Sequence, residues 1–305
     1  MRAIVFGGTG FIGSHVVEQL HLAGHQVTVA VRGTSDISFL KSLGINAKTV
    51  DFTNFTAIRK VLSENEIVYN CLASGSQDIS QRNSEALVEI TLTKRLIEAA
   101  ILEGISRFIQ LSTIVIYDFK SNDSIDEKYI SHPEYDIQKI NLEREKIVRE
   151  AGERNQIETI ILRPASTIGS RDAKSFFSIL FMAHLSDQFP IVGNGEKKVS
   201  IIDTRDIGRA MEWLGTYEKP KEDNGVYLLK GFDTTWYGLK TEIDWALERE
   251  AKTIQLPTIE KSLMIDNFMV NRIWNDEKIK SLGFNTKYSL SEAVETAVND
   301  LRTRK

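Results

Sequence analysis

The sequence predicts an α/β fold: a doubly wound, mostly parallel sheet with helices on both faces. Three observations carry this. Short apolar runs alternate with helical patterns through the first half of the chain. A glycine-rich loop stands at the first strand-to-helix junction. After Arg163 the alternation breaks into shorter pieces.

The elements follow in order. RAIVFGG is continuous, β-branched and ended by glycine, the pattern of a buried strand. SHVVEQLHLAG places apolar residues at helical spacing and ends in Gly24, a natural C-cap. HQVTVAVRG reads as a second strand, and NAKTVDF, EIVYNCLAS, RFIQLSTIVIY and ETIILRPAS as later ones. SEALVEITLTKRLIEAAILEG and EYDIQKINLEREKIVREAG are helical patterns between them. Such alternation implies βαβ units, and the right-handed crossover winds the sheet in both directions. VSIIDTRDIGRAMEWLG is expected to return a strand and a helix to the same sheet. The expected division is a dinucleotide-binding region over 1–164, rejoined by 199–230, and a smaller, mostly helical substrate region over 165–198 and 231–305.

Composition narrows the function classes. The 305 residues are 42% hydrophobic and 26% charged, ordinary for a globular protein able to bury a large core. A net charge of −4 without a basic stripe argues against nucleic-acid binding. No apolar run reaches the length of a membrane span. The start lacks the pattern of a cleaved leader, and the single cysteine, Cys71, permits no internal disulfide, so a cytoplasmic location is expected. His15, His21, His25, His132 and His184 show no metal-ligand spacing with Cys71, and no metal is expected.

GGTGFIG places Gly7, Gly10 and Gly13 between the first strand and first helix. Pyrophosphate binding asks for glycine at such positions: a tight turn, a close backbone approach and close helix–strand packing. The helix start then offers unpaired N–H groups and a positive dipole end. The second strand, VTVAV, is followed by Arg32 with no acid at its tip, and Asp36 comes only later. An arginine there can pair with a ribose 2′-phosphate, which favours NADP over NAD. Asp51 reads equally as a turn or N-cap aspartate.

Tyr135 and Lys139 stand four apart, a spacing that on a helix turns both to one face. A phenol is a poor acid or base at neutral pH, and an adjacent ammonium lowers its pKa. Such a pair can give a proton to a carbonyl oxygen or remove one from a hydroxyl. A second pair, Tyr217 and Lys221, has Pro220 between its members and no fixed common face. Asp203 and Asp206 read as a strand end and a helix cap, and Trp236, Trp245 and Trp274 as core or pocket wall.

The GxxGxxG loop and the YxxxK pair, with Ser112-Thr113 about twenty residues upstream and Glu143 beyond Lys139, resemble the short-chain dehydrogenase/reductase superfamily. The likeness is to its extended branch, the NAD-dependent epimerases and dehydratases, and runs through LRPASTIG to the closing IKSLGF. It implies a Rossmann-type sheet. It implies cofactor contacts at Gly7, Thr9, Gly10, Phe11, Ile12, Gly13, Arg32, Asp51, Phe52, Leu72, Ala73, Ser74 and Lys139. It implies Thr113, with Ser112 as substitute, holding the substrate oxygen, Tyr135 as proton donor and Lys139 tuning it. A homodimer through the helices holding Leu87–Leu102 and Tyr135–Ala151 is also implied. Val199, Asp118 and Glu89 replace residues usual in nucleotide-sugar enzymes of the branch.

The leading expectation is therefore an NADP-dependent reductase of a keto group on a nucleotide-linked sugar. An NAD-dependent nucleotide-sugar epimerase or dehydratase is the alternative. A non-catalytic NADP-sensing protein is a third reading, in a class that tends to lose the Tyr/Lys pair.

Overall fold

A computed structural model describes residues 1–73, 82–120, 124–220, 223–258 and 262–304, with backbone alone for 82–87. In chain order the first elements are β1 (Arg2–Phe6), α1 (Phe11–Leu22), β2 (Gln26–Val31), α2 (Ser38–Ser42), β3 (Asn46–Thr49), α3 (Phe55–Leu62), β4 (Ile67–Asn70), α4 (Arg82–Leu102), β5 (Arg107–Leu111), a 3-10 turn (Ile114–Ile116), α5 (Asp136–Glu153) and β6 (Glu158–Pro164). There follow β7 (Ser166–Ile168), α6 (Phe176–Leu185), β8 (Phe189–Ile191), β9 (Lys198–Asp203), α7 (Thr204–Thr216), β10 (Val226–Leu229), β11 (Phe232–Thr235), α8 (Trp236–Leu247), β12 (Thr253–Gln255), α9 (Leu263–Met269), α10 (Glu277–Ser281) and α11 (Leu290–Thr303).

A seven-stranded sheet has the order β10-β6-β5-β4-β1-β2-β3. The pairs from β3 through β6 are parallel, so the carboxyl ends of β1, β2, β4 and β5 share one edge. The order reverses between β1 and β4, the topological switch at which such sheets bind ligands. This is the predicted α/β doubly wound sheet.

Two compact units divide the chain. Unit 1 comprises Met1–Ile116, Asp136–Arg163 and Ile207–Tyr227, and unit 2 comprises Tyr117–Tyr135, Pro164–Asp206 and Leu228–Lys305. One core of unit 1 gathers Ile4, Phe6, Val68, Leu96, Phe108, Val148 and Ile161, all nearly or fully inaccessible. Each comes from an apolar run or a helical stripe, and burial of that surface is the main force joining helices to sheet.

In unit 2, β11-β9-β7 form a three-stranded sheet and β12-β8 a two-stranded one. Here one expectation is corrected. The VSIID strand does not return to the main sheet; β9 pairs with β7 and β11 instead. A short continuous apolar run specifies a buried strand, not the sheet that receives it. The next apolar strand, β10, does join the seven-stranded sheet. Phe177, Phe181, Ile201, Trp236, Leu239 and Val294 make the unit 2 core, and α11 starts with a capping box from Ser289 and Glu292. Trp236 stacks on Phe268 and Trp274 on Tyr117, whereas Trp245 is exposed. Among the described residues no helix is long and apolar enough to cross a membrane.

Candidate functional site

The glycine loop shows why its residues are glycines. Gly7 has φ +80°, where side chains are disfavoured, and a β-carbon there would lie 2.6 Å from the Cys71 carbonyl oxygen. A β-carbon on Gly13 would lie 2.2 Å from the Gly7 carbonyl oxygen. The Gly10 amide donates to that same oxygen at 3.0 Å, which tightens the turn into α1. Gly10 is the N-cap of α1, yet no side chain caps the helix and its first turn holds no acid. The first-turn amides therefore have no partner from the helix itself, and the dipole leaves positive character there. Thr9 and Gly10 are exposed, and Phe11 and Ile12 half-buried. This side-chain-free cradle at a helix start fits the diphosphate of a dinucleotide.

The neighbouring strand tips add to it. Arg32 is exposed immediately beyond β2. Asp36 is engaged locally: its carboxylate accepts the Ser38 hydroxyl at 2.7 Å and amide at 2.9 Å, bonds that hold its pKa below the usual range. Asp51, beyond β3, is exposed and accepts the Thr53 hydroxyl and amide at 2.7 and 2.9 Å, as a turn aspartate does. The Phe52 ring packs 5.8 Å from that of Phe6. At the end of β4, Leu72 is half-buried and Ala73 exposed, while Ser74 lies outside the described residues. Lys221 of the second tyrosine–lysine pair also lies outside them.

Beyond β5 the two adjacent hydroxyls differ. Ser112 is buried and donates to Glu145 at 2.5 Å, and Glu145 is in turn clamped by Arg163. Thr113 is half-buried and accepts the Val115 amide at 3.1 Å. A hydroxyl that accepts one bond still has its own proton to donate, so Thr113 is the better placed of the two to hold a substrate oxygen.

Tyr135 and Lys139 have separate partners. Tyr135 sits one residue before α5, and its hydroxyl donates to Asp266 at 2.5 Å. Desolvation first, then the Asp266 bond and charge, then Glu134, push the phenol's pKa up. That direction is opposite to the one expected from a neighbouring ammonium. The Lys139 ammonium lies 3.2 Å from Asp136, and its side chain is 57% exposed. Helical geometry explains the exposure. Lys139 precedes fully buried Val148 by nine residues, about 180° around α5.

The NAD dependent epimerase/dehydratase family model matches residues 3–229. The chain belongs to this family. As a member of the NAD dependent epimerase/dehydratase family, it shares its fold with solved sugar-nucleotide enzymes. UDP-glucose 4-epimerase from Thermotoga maritima superposes with TM-score 0.85 at 24% identity, covering 100% of this chain and 99% of that one. UDP-glucuronic acid 4-epimerase from Bacillus cereus, in complex with NAD, gives TM-score 0.85 at 20% identity with the same coverage. Among curated proteins it is similar to NADH dehydrogenase [ubiquinone] 1 alpha subcomplex subunit 9, mitochondrial, from Arabidopsis thaliana, 27% identical over 281 residues (89% of this chain, 64% of that protein). It is likewise similar to a putative dihydroflavonol 4-reductase from Synechocystis, 27% identical over 220 residues (68% and 62%). The chain spans between about half and two thirds of the length of three curated relatives it matches.

Two residues of this epimerase/dehydratase chain escaped the sequence reading. Asp266 lies 131 positions from Tyr135, and no local pattern joins them. Arg144 is buried and donates to the Leu72 carbonyl at 2.5 Å and to Glu89 at 3.0 Å, which ties α4 and α5 to the end of β4. A signal existed for Arg144: it stands four residues before Val148, on the buried side of the helix.

Proposed function

We propose that the chain binds a nicotinamide dinucleotide at its glycine loop and acts as an NAD-dependent epimerase, oxidising and re-reducing one carbon of a nucleotide-linked sugar. The observation that carries this reading is the Gly7/Gly13 cradle at the uncapped start of α1, in a chain of this family. Unit 1 is assigned the dinucleotide and unit 2 the sugar nucleotide. Gly7, Thr9, Gly10, Phe11, Ile12 and Gly13 would hold the diphosphate, Arg32 the adenosine ribose, Asp51 and Phe52 the adenine, and Leu72, Ala73 and Ser74 the nicotinamide half. When bound, the dinucleotide accepts and returns a hydride. Thr113 would orient the sugar oxygen through its hydroxyl, and Tyr135 would exchange a proton with it. Lys139 is assigned no proton transfer, because its ammonium is held by Asp136 on the exposed side of α5. Support for the sugar-nucleotide class comes from fold neighbours described with UDP-glucose or NAD bound. A dimer through α4, where Val88 and Leu102 are 61% and 59% exposed, belongs to the same reading.

One observation favours a second reading, an NADP-dependent reductase of a keto sugar. Arg32 is exposed at the β2 tip and the next acid along the chain, Asp36, is taken up by Ser38. The two are separated by incubating the purified chain with UDP-glucose or UDP-glucuronic acid and either dinucleotide. An epimerase interconverts the sugars with no net change in NADH. A reductase leaves both unchanged and oxidises NADPH in proportion to an added keto sugar. No dinucleotide binding and no conversion by either route would overturn both readings.

A further inference from the structure

The strand order of the main sheet puts β2 and β3 on one side of β1 and β4 on the other. Arg32 and Asp51 follow β2 and β3. With adenosine assigned to that side, the nicotinamide half of the dinucleotide falls to the end of β4. Cys71 and Leu72 form that end, and their backbone stands 2.6 to 2.9 Å from where a Gly7 β-carbon would sit.

Side chains hold the Leu72 peptide on both sides. Its amide donates to Asn70 Oδ1 at 3.3 Å, and its carbonyl accepts Nη2 of Arg144 at 2.5 Å. Asn70 is fixed in turn, donating to Gln110 Oε1 at 2.8 Å, and both of these side chains are buried. Arg144, on α5, is also buried, and its other nitrogens are engaged. Nε donates to the Thr93 hydroxyl at 3.1 Å, and Nη1 donates to Glu89 at 3.0 Å and to Asn141 at 3.2 Å. All of these residues belong to unit 1. Taking a guanidinium out of water is costly, and only several well-aimed acceptors offset it.

We propose that Arg144 is a positioning residue for the dinucleotide: by fixing the Leu72 carbonyl it preforms the wall that meets the nicotinamide half. This deepens the dinucleotide reading given above and rests on it. The guanidinium acts through Leu72, since all three of its nitrogens are committed to protein acceptors. A wall already in place removes an ordering cost that binding would otherwise meet. The planar fork accounts for the residue type. It reaches Leu72, Thr93 and Glu89 together, which a lysine ammonium on its flexible stem cannot do.

The test compares NADH with ADP-ribose, which lacks the nicotinamide ring, by titration calorimetry of the intact chain. Arg144→Met/Glu89→Leu removes both members of the charge pair, so neither is stranded. Arg144→Lys keeps a charge opposite Glu89 and loses the fork. The double variant is expected to bind NADH about tenfold more weakly, the loss of one hydrogen bond to a charged group, and ADP-ribose less than about twofold more weakly. Arg144→Lys is expected to lose a smaller part of the NADH affinity, with ADP-ribose again little changed. Equal weakening of both ligands would make Arg144 a residue of the fold alone and overturn its positioning role. Unchanged NADH affinity in a folded variant, or failure of both variants to fold, would overturn it too. Absence of saturable NADH binding by the wild type would overturn the dinucleotide reading itself, and the role of Arg144 with it.

Discussion

Glu145 and Arg163 meet as a bidentate pair inside unit 1, with N–O distances of 2.9 and 2.5 Å and both side chains nearly inaccessible. The Ser112 hydroxyl donates to the same carboxylate. This pair fixes the start of the segment carrying Thr113. Removing one member strands a buried charge, a loss of about 3–5 kcal/mol. Glu145→Gln should therefore lower the melting temperature by on the order of 10 °C. A calorimetric scan checks this; a change of only a degree or two would show the pair to be incidental.

The two hydroxyls beyond β5 should separate by phenotype. Ser112→Ala removes one bond to Glu145 and is expected to destabilise by about 1–2 kcal/mol while leaving turnover near wild type. Thr113→Val removes the proposed substrate contact, and should leave stability near wild type while reducing kcat at least tenfold. Paired denaturation curves and steady-state rates on the two variants decide it, and equal loss of turnover in both would contradict the assignment.

Arg32 is expected to set cofactor choice. Arg32→Ala should weaken NADPH binding about tenfold, equivalent to ~1.4 kcal/mol, and change NADH binding much less. Fluorescence titration with each reduced dinucleotide measures the ratio. An unchanged ratio would leave Arg32 as a solvent-facing side chain of the loop.

Cys71 borders the cradle, with its carbonyl 2.6 Å from where a Gly7 β-carbon would stand. Burial pushes its thiol up to about 12. The folded value lies above the unfolded one, so the neutral thiol stabilises the fold up to about pH 9, and that contribution is lost between about 9 and 12. At pH 8 the native thiol should react with a disulfide reagent at least about 100-fold more slowly than in urea, since only the thiolate attacks. Comparable rates in the two states would mean the thiol is accessible and ionisable.

The readable and unreadable parts of this protein divide by range. The glycine loop was legible because Gly7, Gly10 and Gly13 recur at one local spacing; the Cys71 backbone beyond β4 that crowds Gly7 leaves no mark of its own there. The parallel sheet was legible because each buried strand is a local apolar run. The destination of β9 was not, since pairing partners leave no mark on a strand that is buried almost throughout. The surroundings of Tyr135 were the hardest to read. Spacing of four states that two residues share a helical face, not which face. The apolar positions of α5, counted back from Val148, place Lys139 on the exposed one. Asp266 could not be found at all from the sequence, because a contact across 131 residues is made by folding alone.

A dinucleotide seated on the α1 cradle is tested by titrating the intact chain with NADH, read by fluorescence. Wild type should show saturable binding, and Gly13→Ala, whose new methyl would meet the Gly7 carbonyl oxygen at 2.2 Å, should lose it while its circular dichroism remains that of a folded chain. Equal NADH affinity in the two proteins, or no saturable binding by wild type, would rule out a dinucleotide on that cradle.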